Sequence, residues 1–523
     1  MTDGSGKVTG NGLQKLAAHL VTLLDTDPAE AVRQARQIDI SSNNRLNAIF
    51  VRAAVLVDGG AASRQRDAME EGLLLYRELH KTHPNAEVEY NIANALVAVV
   101  GRPHNAPNWL DHQESTREQR AEARRLYWRV ARDKSAPSET RTQAWTNLAN
   151  QLTNSYRLGE AHDARLAALA IDPKNGVAAG TAALDLLWLY EQGGCSDLTR
   201  VEAIMLAKLA KQHHGRVHKY AGLNTANRLA SLADQLEDAP NRSPHSDPFV
   251  RWVERERLTL APAVELVDPA LGKLDWLMLP GITEPEPAAA ATPPPIFAMF
   301  NMLKSDFIVA RDLAWRAIHE SGSWPMTGRF ADTLDYATYG PEASALVLAH
   351  RTTLDILDKV AVTVNHYFRI GLQPNKVYFG KLWRAKGAQA AALVDPVEKA
   401  IRGGANALYA LVELAEDYES EHGILRSHKD LRNAGTHRFV VLHDLGNPAE
   451  SRAAPEVEHQ SRGRFAEEVV SALRVARSAL QMVALAIGQH ERTVRGEPGH
   501  LIAEMRVPDH DWVRGRDQDS DGP

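Results

Sequence analysis

The segment Lys429-Asp-Leu-Arg-Asn-Ala-Gly-Thr-His-Arg438 brings an arginine, an amide and a histidine together within ten positions. Arg432 is permanently cationic, and an imidazole such as that of His437 titrates near neutral pH. With Asn433 between them, these groups can bind a phosphodiester and move its proton. Gly435 predicts a turn that would let the arginine and histidine side chains converge. The rest of the chain is predicted to be a helical frame for this segment.

The spacing of Arg432 and His437 is by itself a weak signal, because the same gap occurs three more times. The other pairs are Arg157 and His162, Arg438 and His443, and Arg495 and His500. Only Arg432 is followed by a polar residue, Asn433, and it comes after a predicted helix from Gly404 to Ser420. The alternative interpretation is structural: Arg432 would pair with a nearby acid such as Asp430, and His437 would cap or pack.

Composition bounds the class of protein. With 523 residues, 44% hydrophobic and 24% charged, the chain is predicted to be soluble and to contain several domains. Its net charge of -6 requires a local basic patch for any contact with nucleic acid. Cys195 is the single cysteine, so an internal disulfide and a multi-cysteine zinc site are excluded. No signal core and no run of about eighteen uninterrupted apolar residues is present, which predicts a cytoplasmic protein without a membrane partner.

The first third of the sequence shows helical periodicity and resembles a short tetratricopeptide array. The clearest repeat runs from Trp145 to Pro173, with Leu148, Ala149, Ala161 and Ala168 at the characteristic spacings. A looser copy ends at Pro84, and a third helix pair is predicted from 90–100 and 121–132. Such an array binds a protein or peptide along its concave face. A scaffold or dimerisation surface is the alternative.

The second half is predicted to be a helical bundle. A segment rich in proline and alanine, Thr283 to Pro295, marks the clearest domain boundary. Amphipathic periodicity then predicts four long helices. They are Asn301 to Glu320, Ala343 to Phe368, Ala405 to Ser420 and Phe465 to His490.

The predicted fold class is therefore all-α, a helical-hairpin solenoid followed by a helical bundle. Five parts are expected: a disordered N-terminus at 1–12, the repeat domain at 13–236, a connecting segment at 237–295, the bundle domain at 296–507 and a disordered tail at 508–523.

The bundle, the preceding repeats and the motif Arg432-Asn433-Ala-Gly-Thr-His437 together resemble the HEPN superfamily. Members carry an arginine, a polar residue, and a histidine four to six positions after the arginine. The stretches 300–311 and 357–361, with Thr436-His437-Arg438, resemble one bacterial branch of it. The likeness covers roughly Phe249 to His490.

This resemblance implies a metal-independent endoribonuclease that works as a homodimer and needs no cofactor. RNA supplies its own nucleophile, the ribose 2′-hydroxyl, so the protein must supply proton transfer and a cation. His437 would be the general base or acid, Arg432 would hold the phosphate oxygens, and Asn433 would orient either group. Asp358 and His443 would have supporting roles, fixing a side chain or donating a further proton, although a purely structural role is the stronger alternative for both.

The expected function is an RNA-cleaving effector of antiviral defence or a toxin, controlled by the repeats. The main rival is a noncatalytic module that binds RNA or a nucleotide through Arg432 while the repeats recruit partners. A third hypothesis is a pure scaffold. Sequence motifs for nucleotide-binding loops, zinc-protease helices and nucleophile elbows do not occur in the chain.

Overall fold

The computed structural model contains twenty α-helices and one small three-stranded sheet in the part of the chain that it describes. The described residues are 10–41, 45–101, 109–236, 245–283, 292–320, 322, 324–325, 327–385, 387, 392–445, 451 and 454–495. The predicted tail at 508–523 lies outside these residues, and so does 1–12 except for its last three positions. The predicted all-α class is confirmed, and the sheet is an addition that the sequence did not predict.

The N-terminal half is a succession of twelve helices. They are α1 (Gly10–Thr26), α2 (Pro28–Arg36), α3 (Arg45–Ser63), α4 (Arg66–Thr82), α5 (Ala86–Val100), α6 (Trp109–Ser115), α7 (Arg117–Arg132), α8 (Ser138–Asn154), α9 (Leu158–Ile171), α10 (Gly176–Gln192), α11 (Asp197–Gln212) and α12 (His214–Gln235).

These helices pack as hairpins, α3 with α4, α5 with α7, α8 with α9, and α10 with α11. Small residues permit the close approach: a Cβ atom on Gly72 of α4 would lie 2.9 Å from the carbonyl oxygen of Ala53 on α3. Asn85 and Asn175 cap α5 and α10 by accepting hydrogen bonds from the first turns. The hairpins are consistent with the predicted repeats. One difference is α6, an additional helix that lies between the two predicted helices at 90–100 and 121–132.

The remaining helices form the connecting segment and the bundle. They are α13 (Pro248–Arg255), α14 (Leu271–Leu274), α15 (Pro295–His319), α16 (Pro341–Tyr367), α17 (Asp395–Arg402), α18 (Leu408–Glu419), α19 (Arg426–His437) and α20 (Arg462–Arg495). The four long predicted helices correspond to α15, α16, α18 and α20. Pro295 begins α15, as suits a residue without an N–H at the first helical position.

Helix α20 is the central element of the bundle. It packs against α15, α16 and α18, and residues such as Leu473, Leu480 and Ile487 are fully buried. Trp252 and Leu277 of the connecting segment belong to the same hydrophobic core as these residues. The domain boundaries therefore remain a prediction, because one hydrophobic core continues across the boundary predicted at residue 295.

The sheet follows α19 directly. Strand β2 (Phe439–His443) pairs antiparallel with β1 (Ala337–Thr338) and parallel with β3 (Val457–Ser461), in the order β1-β2-β3. Phe439 lies opposite Val457, and His443 lies opposite Ser461. The apolar residues of β2 form one continuous run of four, which is too short to be assigned to a strand from the sequence.

A buried ion cluster joins the repeats to the bundle. Arg124 on α7 lies 3.0 Å from Glu413 on α18, and Arg157 donates to Asp417 on α18 at 2.5 Å. Arg120 also donates to Glu413. All five side chains are buried, and Arg157 also pairs with Glu160 at 2.7 Å, so the three arginines are compensated by three carboxylates.

Two helices, α3 and α20, have the length and hydropathy that a membrane span requires, by these criteria alone. Within α20, 78% of the apolar window is buried inside the fold. Core packing therefore accounts for its apolar character, and the cytoplasmic location stays a prediction.

Candidate nucleic-acid site on helix 19

The sequence predicted a turn around Gly435, and this prediction is wrong: α19 is helical from Arg426 to His437. A glycine inside a helix costs only about 1 kcal/mol, which tertiary packing can offset. Helix α19 packs against α16 and α18. Arg426 and Asp430 form an ion pair at 3.0 Å along its surface. The motif is therefore presented by one helix rather than by a loop.

Arg432 projects from α19 towards α16. Its guanidinium donates to Asp358 at 2.6 Å and to Asp355 at 3.1 Å. Burial lowers the pKa of Arg432, but the hydrogen bond to Asp358 and the charge of that carboxylate outweigh burial, so the pKa lies above its usual value. The side chain remains 24% exposed. The cation is thus fixed in direction and still open to solvent.

Asp358 has a second contact that fixes its position. Its other carboxylate oxygen accepts a hydrogen bond from the main-chain N–H of Phe379 at 2.7 Å. Asp358 therefore links α16, α19 and the 379–381 turn. The expected partner Asp430 instead binds Arg426, so the acid that the structural interpretation named is not the one that Arg432 contacts.

The other residues of the motif differ in what the structure describes. Asn433 is exposed on α19 beside Arg432. The side chain of His437 lies outside the described part of the structure, although the helix itself ends at this residue.

His443 lies on β2, and its contacts are within the sheet region. Its Nδ1 is 2.9 Å from the carbonyl oxygen of Asp335, and its Nε2 is 2.9 Å from Nδ1 of His459. The structure therefore places His443 against Asp335 and His459, whereas it places Asp358 against Arg432.

Two buried histidines behind α19 were missed by sequence reasoning. His428 of α19 lies 3.1 Å from the hydroxyl of Ser471 on α20, and the ring of His350 on α16 packs against Phe465. Burial lowers the pKa of His350 to about 3, with a smaller contribution from His428. Burial likewise lowers the pKa of His428 to about 4, and the charge of Arg132 adds to this. Both rings are therefore neutral anchors of the motif helix near neutral pH. The sequence offered one indication of a buried histidine: His350 lies among apolar residues on the core-facing side of α16.

The three other Arg–His pairs have different surroundings. Arg157 and His162 are buried at the junction between repeats and bundle. Arg438 pairs with Glu458 of β3 at 3.2 Å. His500 lies outside the described residues. Within the described chain, Arg432 is the arginine of these pairs that is held by two acids of the bundle while remaining partly exposed.

Residues 288–490 match the family model described as LA2681-like HEPN. This match spans the bundle and the whole of α19, and it confirms the resemblance that the motif suggested: the C-terminal bundle is a domain of the HEPN superfamily. No curated protein matches the chain.

The match supports a ribonuclease-type or nucleotide-binding module. HEPN domains are generally ribonuclease-type, and they commonly bind RNA and dimerise. The match covers the bundle, so tetratricopeptide identity of the N-terminal hairpins remains a prediction.

Proposed function

We propose that the protein is a metal-independent endoribonuclease effector whose site is formed by Arg432, Asn433 and His437. Arg432 binds the nonbridging phosphate oxygens, because its planar guanidinium matches their geometry. His437 transfers the proton between the ribose 2′-hydroxyl and the departing 5′-oxygen. Asn433 orients the phosphate or the imidazole. The products are a 2′,3′-cyclic phosphate or 3′-phosphate and a 5′-hydroxyl.

The observation that carries this proposal is the setting of Arg432. Two acids of α16 fix it, it remains partly exposed, and it lies on the helix that carries Asn433 and His437 within a HEPN domain. A phosphate can replace Asp355 at the guanidinium, because that carboxylate is the more exposed of the two and the more distant. Asp358 would remain as the positioning acid.

The test is incubation of the full chain with total RNA and tRNA in EDTA, followed by mapping of the new ends. Wild type is expected to cut RNA and to spare DNA, which lacks the 2′-hydroxyl. Arg432→Ala and His437→Ala are each expected to lower the rate by about 10²–10³-fold, the range for loss of a charge-stabilising group.

Arg426→Ala is the matched control, because Arg426 lies on the same helix in an exposed ion pair with Asp430. It should cut at the wild-type rate. Equal cutting by all four proteins would place the activity elsewhere. If the wild type binds RNA without cutting it, the noncatalytic module is favoured. The ion pairs of Arg432 with two acids are also compatible with that alternative.

We further propose that two bundles dimerise so that their motifs face each other. Exposed large apolar side chains in this region support this: Phe439, two residues after His437, is 73% exposed, and Tyr336, which precedes β1 of the same sheet, is 66% exposed. Light scattering of the purified chain should give the mass of a dimer, and Phe439→Ser should weaken it. A monomeric, active wild type would contradict the dimer.

The repeats are proposed as the sensor for a protein or peptide trigger. A groove of ≈ 630 Å³ lies among α5, α8, α10 and α12, with Tyr90, Asn150 and Tyr220 in its wall. The proposed role in antiviral defence or as a toxin predicts growth arrest with RNA breakage in bacteria that express the wild type together with its trigger. Arg432→Ala should abolish both effects, and arrest by that variant would contradict the role.

A further inference from the structure

A buried group of three side chains lies outside the motif, where the repeats meet the connecting segment. His162 is on α9, Glu202 is on α11, and Glu265 is between α13 and α14. Their exposed fractions are 3%, 0% and 8%. One ligand atom from each lies within 4.8 Å of the others. Three metal-ligating groups are therefore concentrated in the interior, contributed by three separate segments.

The distances within this group are long for hydrogen bonds. Nε2 of His162 is 3.4 Å from Oε1 of Glu202 and 3.4 Å from Oε2 of Glu265. Hydrogen bonds between nitrogen and oxygen are usually about 2.9–3.0 Å long. Two ligands of one tetrahedral zinc ion, each about 2.1 Å from the metal, are about 3.4 Å apart. The spacing therefore matches ligands that share a metal.

Buried polar atoms in the group lack hydrogen-bond partners among the described residues. They are Nδ1 of His162, Oε1 of Glu202 and Oε1 of Glu265. Thr199, one turn before Glu202 on the same face of α11, also has an unpartnered buried hydroxyl. Among these atoms, Oε1 of Glu202 is the one that faces Nε2 of His162, and a buried carboxylate oxygen is costly unless a ligand or water satisfies it.

Main-chain groups already orient the two carboxylates. The N–H of Leu266 donates to Oε2 of Glu202 at 3.3 Å, and the N–H of Val264 donates to Oε2 of Glu265 at 3.1 Å. Arg477, whose charge acts on Glu265, instead donates to Asp163 at 2.7 Å. The carboxylates thus have supporting hydrogen bonds, as metal-ligating carboxylates commonly do, and no arginine in the described part of the chain donates to either of them.

We propose that His162, Glu202 and Glu265 bind a divalent transition-metal ion of the zinc class. One nitrogen and two carboxylate oxygens suit Zn²⁺ or Mn²⁺, and two carboxylates balance the charge of the ion when the histidine binds it as the neutral imidazole. The ion crosslinks α9, α11 and the connecting segment. It is structural and lies apart from Arg432, so it does not depend on the proposed nuclease activity and does not conflict with cleavage in EDTA.

The test is the metal content of the full, untagged chain, purified from medium supplemented with Zn²⁺ and Mn²⁺ and also refolded with each ion. Wild type is expected to hold about one ion per chain. Glu202→Gln and Glu265→Gln keep the side-chain shape, and the metal content of each variant is expected to be about tenfold lower than that of the wild type, or lower still. Wild type without stoichiometric metal in both preparations would overturn the proposal.

A matched control comes from the second group of this kind in the described chain, Asp335, His443 and His459. His459→Asn should retain the ion. If His459→Asn loses the ion and Glu202→Gln keeps it, the assignment of the ion to His162, Glu202 and Glu265 is overturned. If the Glu→Gln variants do not fold, X-ray absorption of the metal-loaded wild type decides. One imidazole and no sulfur supports the proposal, and two imidazoles contradict it.

Discussion

Arg157 with His162 and Arg432 with His437 have the same sequence spacing, yet they have opposite settings. Arg157 is fully buried and donates to Asp417 at 2.5 Å and to Glu160 at 2.7 Å. Arg432 is 24% exposed and donates to two acids near the surface. Both arginines bind two carboxylates, so the chemistry of the pair does not separate a structural site from a binding site. Access to solvent does, because a phosphate can reach only the second arginine.

The buried pair should give the largest effect when it is broken. Asp417→Asn removes one of the three carboxylates that face Arg120, Arg124 and Arg157, and it leaves Glu413 and Glu160. Removing one partner of a buried ion pair typically costs 3–5 kcal/mol, and we expect about that loss in the free energy of unfolding. Urea denaturation followed by circular dichroism measures it.

The control is Glu398→Gln, which breaks the exposed pair between Glu398 and Arg402 on α17. It should cost under about 1 kcal/mol. If the two variants lose similar stability, the buried cluster does not hold the repeats on the bundle.

The second largest effect should come from acid, which should lower the free energy of unfolding by protonating the buried histidines that hold the motif helix. In the folded state burial lowers the pKa of His350 to about 3 and that of His428 to about 4, below the value of 6.5 in the unfolded chain. The unfolded state therefore binds more protons, and stability is lost as the pH falls from 6.5 towards 4. Each histidine contributes about 1.4 kcal/mol per pH unit in that window.

His350→Leu should lower the slope of unfolding free energy against pH by that amount. His350 tolerates the change because its buried Nε2 has no hydrogen-bond partner in the described chain. His366→Leu, at an exposed position on the same helix, should keep the wild-type slope. An unchanged slope in His350→Leu would show that this ring is not a neutral anchor.

The long helices of the bundle were predictable because apolar periodicity persists over many turns in α15, α16 and α20. Their bounds differ by several residues: α20 begins at Arg462, and the third predicted helix is shorter than expected, from Leu408 to Glu419. The sheet was missed because β1 has two residues and is defined by its partner, not by its own sequence. Gly435 suggested a turn, since local propensity alone does not include the packing of α19 on α16 and α18.

The chemistry of the candidate site was only partly predictable. The motif is local, so Arg432 and Asn433 could be named from spacing. Asp355 could not, because it lies 77 positions before Arg432 and only the packing of α16 on α19 brings it there. The same applies to His162 and Glu265, which are 103 positions apart. Clusters assembled from separate helices leave no spacing signal in one sequence.

Asp358→Asn should lower the free energy of unfolding by less than Asp417→Asn does, and by less than the fall in pH from 6.5 to 4 does. The amide oxygen still accepts from Phe379, but the charge opposite Arg432 is lost, for an expected cost of about 1 kcal/mol. If Asp358 positions Arg432, cleavage should fall through kcat with little change in KM. Steady-state kinetics on a defined RNA measures this split, and unchanged kcat would assign Asp358 to stability alone.

Asp355→Asn should have the smallest effect on stability and the opposite effect on binding. Asp355 is 53% exposed and lies 3.1 Å from Arg432, so its loss should cost under about 0.5 kcal/mol. Because it competes with phosphate for the guanidinium, its neutralisation should tighten RNA binding, seen as a lower KM at unchanged kcat. A lower KM would distinguish the two regions. Neutralising an acid of the buried cluster cannot lower KM in this way, because Arg157 stays buried and out of reach of RNA. Weaker RNA binding by Asp355→Asn would mean that the acid supports the site rather than competing at it.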